Sequence, residues 1–436
     1  MRAILSAVTA VFLALPAFGA VEIQEVTSPS GIKAWLVEEH SIPFTALEIR
    51  FKGGASLDAP GKRGAIVLMM ALLEEGAGDL DSQGFAEARE ALAAEFGFDA
   101  YDDGVSVSAQ FLTENRGEAV ALLKQALTDP RFDQSAIDRV RAQVLSIIQS
   151  EEKDPGDIAG RTFDQLAFGD HPYATSRNGT LESVNALTRD DLLDAKARVM
   201  SRDRLYVSAV GDITPEALGA LIDDLLGGLP ATGAETPPPV APELRGGITV
   251  VDYVSPQSVV VFGHAGIDRD DPDFFAAYLL NQALGGQGFA ARLMDEVREK
   301  RGLTYGISTY LVPMDLAETW QGSFSSANEK VAEAIEVVHA EWARAAADGL
   351  TESELDAAKT YLTGSYPLRF DGNGRIADIL VGMQTDHLPA SYITDRNSYI
   401  EAVTLDDIKR VAKRLMRPEN LRFVVVGQPV GLQDSD

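Results

Sequence analysis

The sequence predicts an α+β fold: two homologous domains in series, each a mostly antiparallel sheet packed with helices. The first observation behind this is an internal repeat. TRDDLLDAKARVMSRDRLYVSAVGD, from Thr188 to Asp212, aligns without a gap onto TLDDIKRVAKRLMRPENLRFVVVGQ, from Thr404 to Gln428. The copies agree at Thr188/Thr404, Asp190/Asp406, Asp191/Asp407, Arg198/Arg414, Met200/Met416, Leu205/Leu421, Val210/Val426 and Gly211/Gly427. The second is LPATGAETPPPVAPELRGG, residues 229–247, whose prolines and small polar residues favour an extended linker over a packed element. The third is that strand-like and helix-like runs are segregated along the chain, as in an antiparallel α+β layer and unlike a doubly wound parallel sheet.

Taken in order, residues 1–20 read as a secretory leader. Met1-Arg2 precede an apolar run from Ala3 to Phe18, which ends in the small pair Gly19-Ala20, so cleavage is expected after Ala20. The run is short of the roughly 20 residues a membrane-spanning helix needs. No later stretch is long and apolar enough to cross a bilayer, so an exported, periplasmic or secreted protein with no stable membrane insertion is expected.

Residues 21–228 form the expected N-terminal domain and 248–436 the C-terminal one. Alternating apolar residues predict strands at Ala34–Val37, Ala46–Phe51 and Val105–Phe111 in the first, and at Ile248–Asp252, Ser258–His264 and Thr319–Ser325 in the second. Helical periodicity predicts helices over Phe85–Phe96, Glu114–Leu127 and Ser135–Ser150, then over Glu329–Asp348 and Glu352–Ser365. Each copy of the repeat opens with Thr-x-Asp-Asp, an N-cap with acids in the first turn, and closes in a β-rich strand stopped by glycine.

Composition excludes more than it assigns. With 45% hydrophobic and 24% charged residues the chain is an ordinary globular protein. The net charge of −28 repels nucleic acid phosphates and anionic lipid, so nucleic acid is excluded as a partner. Zero cysteines remove disulfides, thiolate chemistry and cysteine metal sites.

One stretch stands apart. GAIVLMMALLEEG, Gly64 to Gly76, reads as a helix with almost no polar face before its last turn. The succession of Gly64, this helix, Gly76, a second helix and GFDAYDDGVSVSA from Gly97 resembles the N-terminal domain of the pitrilysin/insulinase zinc peptidases, which include the mitochondrial processing peptidases. There the first helix carries His-x-x-Glu-His: histidines at i and i+4 share a face and reach one zinc, and the glutamate holds the attacking water. Aligned on the glycines, the histidine positions fall on Val67 and Ala71 and the glutamate on Met70. The family's further glutamate ligand, in a Val-Leu-x-Glu context, falls in VLSII on Ile147. The resemblance therefore implies a lost zinc site whose four positions are taken over by apolar core packing. His40, His171, His264, His339 and His387 are scattered, none with a second histidine at i+3 or i+4, so no alternative zinc site is expected.

The second half carries LLNQALGGQGFAARLMDEVREKRGLTYGISTYL, Leu279 to Leu311, which is similar to the family's glycine-rich turn, helix and Arg-x6-Tyr segment. The resemblance places the family's substrate-holding arginine and tyrosine on Arg298 and Tyr305. An arginine fork suits carbonyl oxygens, and a phenol can donate to the oxygen that becomes negative when a peptide is attacked. The competing structural reading makes Arg298 one charge on a solvated helix face and Tyr305 a strand residue packed on the sheet. GGQG, Gly285–Gly288, lacks the Gly-Lys-Ser/Thr ending of a phosphate loop.

The implied function is a non-catalytic, substrate-binding subunit of a heteromeric exported zinc peptidase. It would hold no cofactor of its own, the zinc belonging to a homologous partner with His-x-x-Glu-His, and peptides would be the substrates. The alternatives are a catalytically silent scaffold or peptide-binding protein of the same fold, and a self-sufficient zinc hydrolase with displaced ligands.

Overall fold

The computed structural model describes residues 22–286 and 291–435. The expected leader and the Gln287-Gly288 part of the glycine-rich turn lie outside the described residues. The N-terminal half opens with β1 (Gln24–Thr27), β2 (Lys33–Glu38) and β3 (Phe44–Lys52). There follow α1 (Ala65–Ala71), a small hairpin of β4 (Gly76–Ala77) and β5 (Leu80–Asp81), α2 (Ser82–Ala91), β6 (Glu95–Ala100) and β7 (Gly104–Leu112). Then come α3 (Arg116–Thr128), α4 (Gln134–Glu151), α5 (Pro155–Phe168), the short α6 (Leu181–Asn185), α7 (Arg189–Val199), β8 (Leu205–Gly211) and α8 (Pro215–Leu226).

The C-terminal half repeats the order: β9 (Gly247–Asp252), β10 (Gln257–Ala265), α9 (Phe274–Gly285), a π-helical turn over Met294–Glu299, β11 (Ile307–Pro313) and β12 (Glu318–Ala327). It ends with α10 (Val331–Asp348), α11 (Glu352–Ser365), α12 (Asn373–Thr385), α13 (Tyr392–Ala402), α14 (Leu405–Leu415) and β13 (Arg422–Gly427). Between the halves, residues 230–245 contain no helix or strand.

The two large sheets run β1-β2-β8-β3-β7-β6 and β11-β12-β10-β13-β9. All their pairs are antiparallel except one in each, β2 with β8 and β9 with β13. Both parallel partners close the sequence repeat, so the duplication seen in the residues is also a duplication of topology. The repeat's chemistry is local and identical. Thr188 Oγ1 accepts from the Asp191 N–H while the Asp191 carboxylate accepts from Thr188, and Thr404 and Asp407 do the same, so both α7 and α14 start in a capping box. At the other end a Cβ on Gly211 would stand 2.2 Å from the Phe44 carbonyl oxygen, and its φ of +137° is unfavourable for other residues.

One expected element is shorter than its periodicity suggests. The helix foreseen over Phe85–Phe96 ends at Ala91; Ala93 takes a left-handed φ of +49°, and Glu95 onward joins edge strand β6. Phe96 and Phe98, two residues apart, pack against the core as a strand's side chains do.

Each sheet buries one face under helices of its own half. The N-terminal core gathers Leu36, Ile49, Phe51, Val107 and Val207 with Ile66, Met69, Leu123 and Leu192; the C-terminal one gathers Val260, Phe262 and Phe423 with Leu280, Val338, Trp342 and Val411. The opposite faces are covered reciprocally. α12, from the C-terminal half, lies on β3 and β8, with Ala377, Leu380 and Met383 against Ala46 and Val210. α5, from the N-terminal half, lies on β10 and β13, with Ala159, Phe163 and Ala167 against Val261, Val424 and Val426. The linker is drawn in by Leu244, which joins the α5 cluster, and by hydrogen bonds from Val240 N to Leu316 O and Glu243 N to Ala167 O. Two sequence domains therefore pack as an interlocked pair.

Candidate functional site

α1 owes its start to Asp58, whose carboxylate accepts from the N–H groups of Gly64 (2.8 Å) and Ile66 (2.9 Å). These are donors the first turn cannot satisfy internally. Burial is the main influence on that carboxyl and pushes it up to about 6. The helix then turns Ile66, Leu68, Met69 and Met70 into the core.

The positions of the missing metal ligands separate here. Met70 is 1% exposed, whereas Val67 and Ala71, sharing a face at i and i+4, are only partly covered, and Ile147 on α4 is 50% exposed. The expectation that all four fill a cavity as core packing is thus corrected in part: Met70 belongs to the core and the half-buried Ala71 packs against it, whereas Val67 is only half-buried and Ile147 is exposed. Ile147 lies where α4 faces away from the core, so its neighbours impose no apolar requirement. Val67, Ala71 and Ile147 carry no donor atom and Met70 offers only a buried thioether, so these residues do not fit a zinc ion. Among the described residues no group of three or more His, Cys, Asp or Glu is arranged to hold a metal.

The histidines have separate occupations. His40 bonds Asp212 (2.7 Å) and Glu38 (3.1 Å), which raise its pKa, and His171 caps a 3-10 turn at Tyr173. His264 meets both Trp320 and Trp342 edge-on, the two indoles also touching each other; it accepts from Trp342 Nε1 at 2.9 Å and is pushed down to about 4 by burial. His339 reaches the Pro418 carbonyl, and the ring of His387 meets Tyr206 edge-on.

Arg298 and Tyr305 sit at the two ends of one connection. Arg298 lies in the π-helical turn, 33% exposed at the side chain, with Nε 3.5 Å from Glu299 Oε1. The other acids of the turn are engaged by its neighbours: Lys300 pairs with Asp295 and Glu296, and Arg301 with Glu296. Tyr305 precedes β11 and is 86% exposed, so the reading in which it packs on the sheet does not hold.

The backbone beneath that ring is clamped. Leu303 and Thr304 are buried; Leu303 N–H donates to Val297 O, and Ser326 Oγ donates to Leu303 O. Thr304 Oγ1 lies 2.7 Å from Ser325 O and accepts from Gly306 N–H, while Lys330 Nζ holds Gly302 O. An exposed phenol on a fixed backbone is preorganised to meet a ligand at little entropic cost. The clamp itself had no signal in the sequence, because Ser325, Ser326 and Lys330 are more than 20 residues from the turn they hold.

Sequence and structure comparisons find proteins similar to this chain. A profile of the family described as "Peptidase M16 inactive domain" matches residues 186–362. A Helicobacter pylori protein named "Non-peptidase homolog YmxG" is 27% identical over 89% of this chain and 90% of its own. An "uncharacterized zinc protease" of Streptomyces coelicolor is 25% identical over 90% of this chain and 87% of its own. The crystal structure of a peptidase M16 inactive domain from Pseudomonas fluorescens superposes with a TM-score of 0.88 at 29% identity, covering 95% of this chain and all of that one.

Proposed function

Starting from a chain that belongs to the M16, or pitrilysin/insulinase, family and is a non-catalytic member of it, we propose a substrate-holding subunit of an exported heteromeric zinc peptidase. The observation that carries the proposal is the contrast within one chain. The positions where a metal would need donors offer none, while Tyr305 stands 86% exposed on a clamped turn one short connection from Arg298. A silent scaffold has no use for such a presentation.

In this reading a homologous chain bearing His-x-x-Glu-His supplies the metal and the attacking water. Arg298 donates to a substrate carbonyl and fixes the peptide's register. The Tyr305 phenol donates to the oxygen that gains charge as the scissile carbon is attacked. Peptide enters extended, adding to an exposed sheet edge through main-chain hydrogen bonds, which makes recognition largely independent of side chains. The leader at residues 1–20 sends the chain to the periplasm or beyond, where its partner is also expected.

The test is reconstitution with that partner and cleavage of a fluorogenic peptide. Tyr305→Phe and Arg298→Ala should each lower kcat/KM of the pair by roughly 10²-fold, the scale of losing one donor to a developing oxyanion. Pairing affinity should not change. Undiminished cleavage by both variants, or turnover by the rigorously purified single chain, would refute the shared site.

A further inference from the structure

Away from the Arg298–Tyr305 turn, a cavity of about 520 Å³ opens where the two halves meet. β2 supplies Lys33 and Trp35, the segment entering β8 supplies Arg202 and β8 itself Tyr206, and α12 supplies Gln384 with His387 just past its end. That volume is typical of small-molecule sites, which favour junctions between domains.

Its charge is unlike that of the rest of the chain. The sequence holds 66 acidic residues against 38 basic ones, yet no carboxylate lines this cavity. Three other cavities of the surface each carry acids: Asp103, Asp315 and Asp386 in one, Asp102, Glu151, Asp157 and Asp164 in the next, and Glu336 and Glu419 in the third. Lys33 and Arg202 also have no ion-pair partner among the described residues, whereas Arg204, two positions on, is paired with Asp203. Two cations without an ion-pair partner give the lining of this cavity a positive charge, while the Asp223 carboxylate outside it is taken up by the Ser30 N–H and hydroxyl.

The walls are flat. The Tyr206 and His387 rings meet edge-on with centroids 6.4 Å apart, and the partly buried Trp35 lines the same cavity. His387 takes a left-handed φ of +55°, a conformation uncommon outside glycine, at the point where the chain leaves α12. Gln384 is fixed by donating to the Val207 carbonyl at 2.8 Å, which ties α12 to β8 at the floor. Since α12 belongs to the other half, the cavity exists only in the interlocked fold.

We propose that this cavity binds an aromatic carboxylate, with the ring between Trp35 and Tyr206 and the carboxylate on the Arg202 fork and Lys33. Arginine and lysine give charge-assisted hydrogen bonds to a carboxylate, and the rings give an offset-stacked or edge-on contact to a planar body. A free aromatic acid and the C-terminal residue of a peptide ending in phenylalanine present the same chemistry. The inference does not depend on the shared-site reading above.

The chain contains its own reporter. Of three tryptophans, Trp320 and Trp342 are fully buried in the C-terminal core, so a ligand-dependent change in emission belongs to Trp35. The full-length mature chain would be titrated with N-acetyl-phenylalanine, with its neutral amide, and with an octapeptide ending in phenylalanine as acid and as amide. Saturable change with the acids, and binding at least roughly tenfold weaker with the amides, is expected. Arg202→Gln and Lys33→Gln should each weaken the acid by about tenfold while the melting temperature holds, because both side chains are exposed and unpaired. Response to the small acid alone, or to peptide acid as well, would each support the cavity and decide its source. No saturable response to either acid, equal response to acid and amide, or unchanged affinity in both variants would overturn it.

Discussion

The reciprocal helices make a quantitative prediction about how this chain unfolds. Phe163 on α5 is fully buried, and it packs on the sheet of the other half: a Cβ on Gly263 of β10 would lie 3.0 Å from its ring. Phe163→Ala should cost about 3–5 kcal/mol through lost transfer energy and the cavity left behind. With a urea m-value of about 3 kcal/mol/M or more for a chain of this size, the midpoint should fall by roughly 1 M. The informative part is where the loss is felt. In a Trp35→Phe background only Trp320 and Trp342 emit, and both sit in the C-terminal core, a different cluster from Phe163. If the halves are one cooperative unit, tryptophan emission and far-UV circular dichroism should shift together. A far-UV transition that moves while the tryptophan transition stays in place would show that the halves unfold independently, and the interlocking argument would fail.

Two further outcomes follow from the site and from an ion pair. Met70→Glu places a carboxylate at a fully buried point and should cost about 3 kcal/mol, while Ala71→Glu, on the partly open face, should stay within about 0.5 kcal/mol; denaturation midpoints that are equal for the two would contradict the burial described for α1. Glu354 is raised by burial, but the Arg292 fork at 2.8 and 2.7 Å and the Thr351 N–H outweigh this and hold it at about 2. Because the folded value lies below the ordinary 4.5, this stabilisation is present above pH 4.5 and is lost as pH falls toward 2. Glu354→Gln should accordingly melt well below the native chain at pH 6 and close to it at pH 2; a gap that does not change with pH would remove the linkage argument.

Local chemistry was the legible part of this protein. Thr188 and Thr404, with their acids three residues on, announced helix starts that the capping boxes realise, because a cap involves only residues within one turn. Strand alternation was readable for a similar reason: Leu47, Ile49 and Phe51 face the core at every second position whatever lies beyond it. The helix over Ser82–Ala91 was read too far because Phe96 and Phe98 fit an apolar face in either conformation, and only pairing with β7 decides for the strand. The apolar character of Val67, Met70, Ala71 and Ile147 was plain, but whether apolar means buried was not.

The sequence alone therefore determined the duplication, the character of each element and the absence of metal-ligating atoms on α1, since those are properties of residue identity and spacing along one strand or helix. Which sheet α5 and α12 cover, that Ile147 lies open and Val67 and Ala71 only half-buried while Met70 is enclosed, that the Tyr305 turn is clamped by Ser325 and Ser326, and that Lys33, Arg202, Trp35 and His387 share a cavity were decided by tertiary structure. These are relations between segments tens to hundreds of residues apart, and they depend on how apolar faces satisfy one another in three dimensions, which periodicity within a single element does not encode.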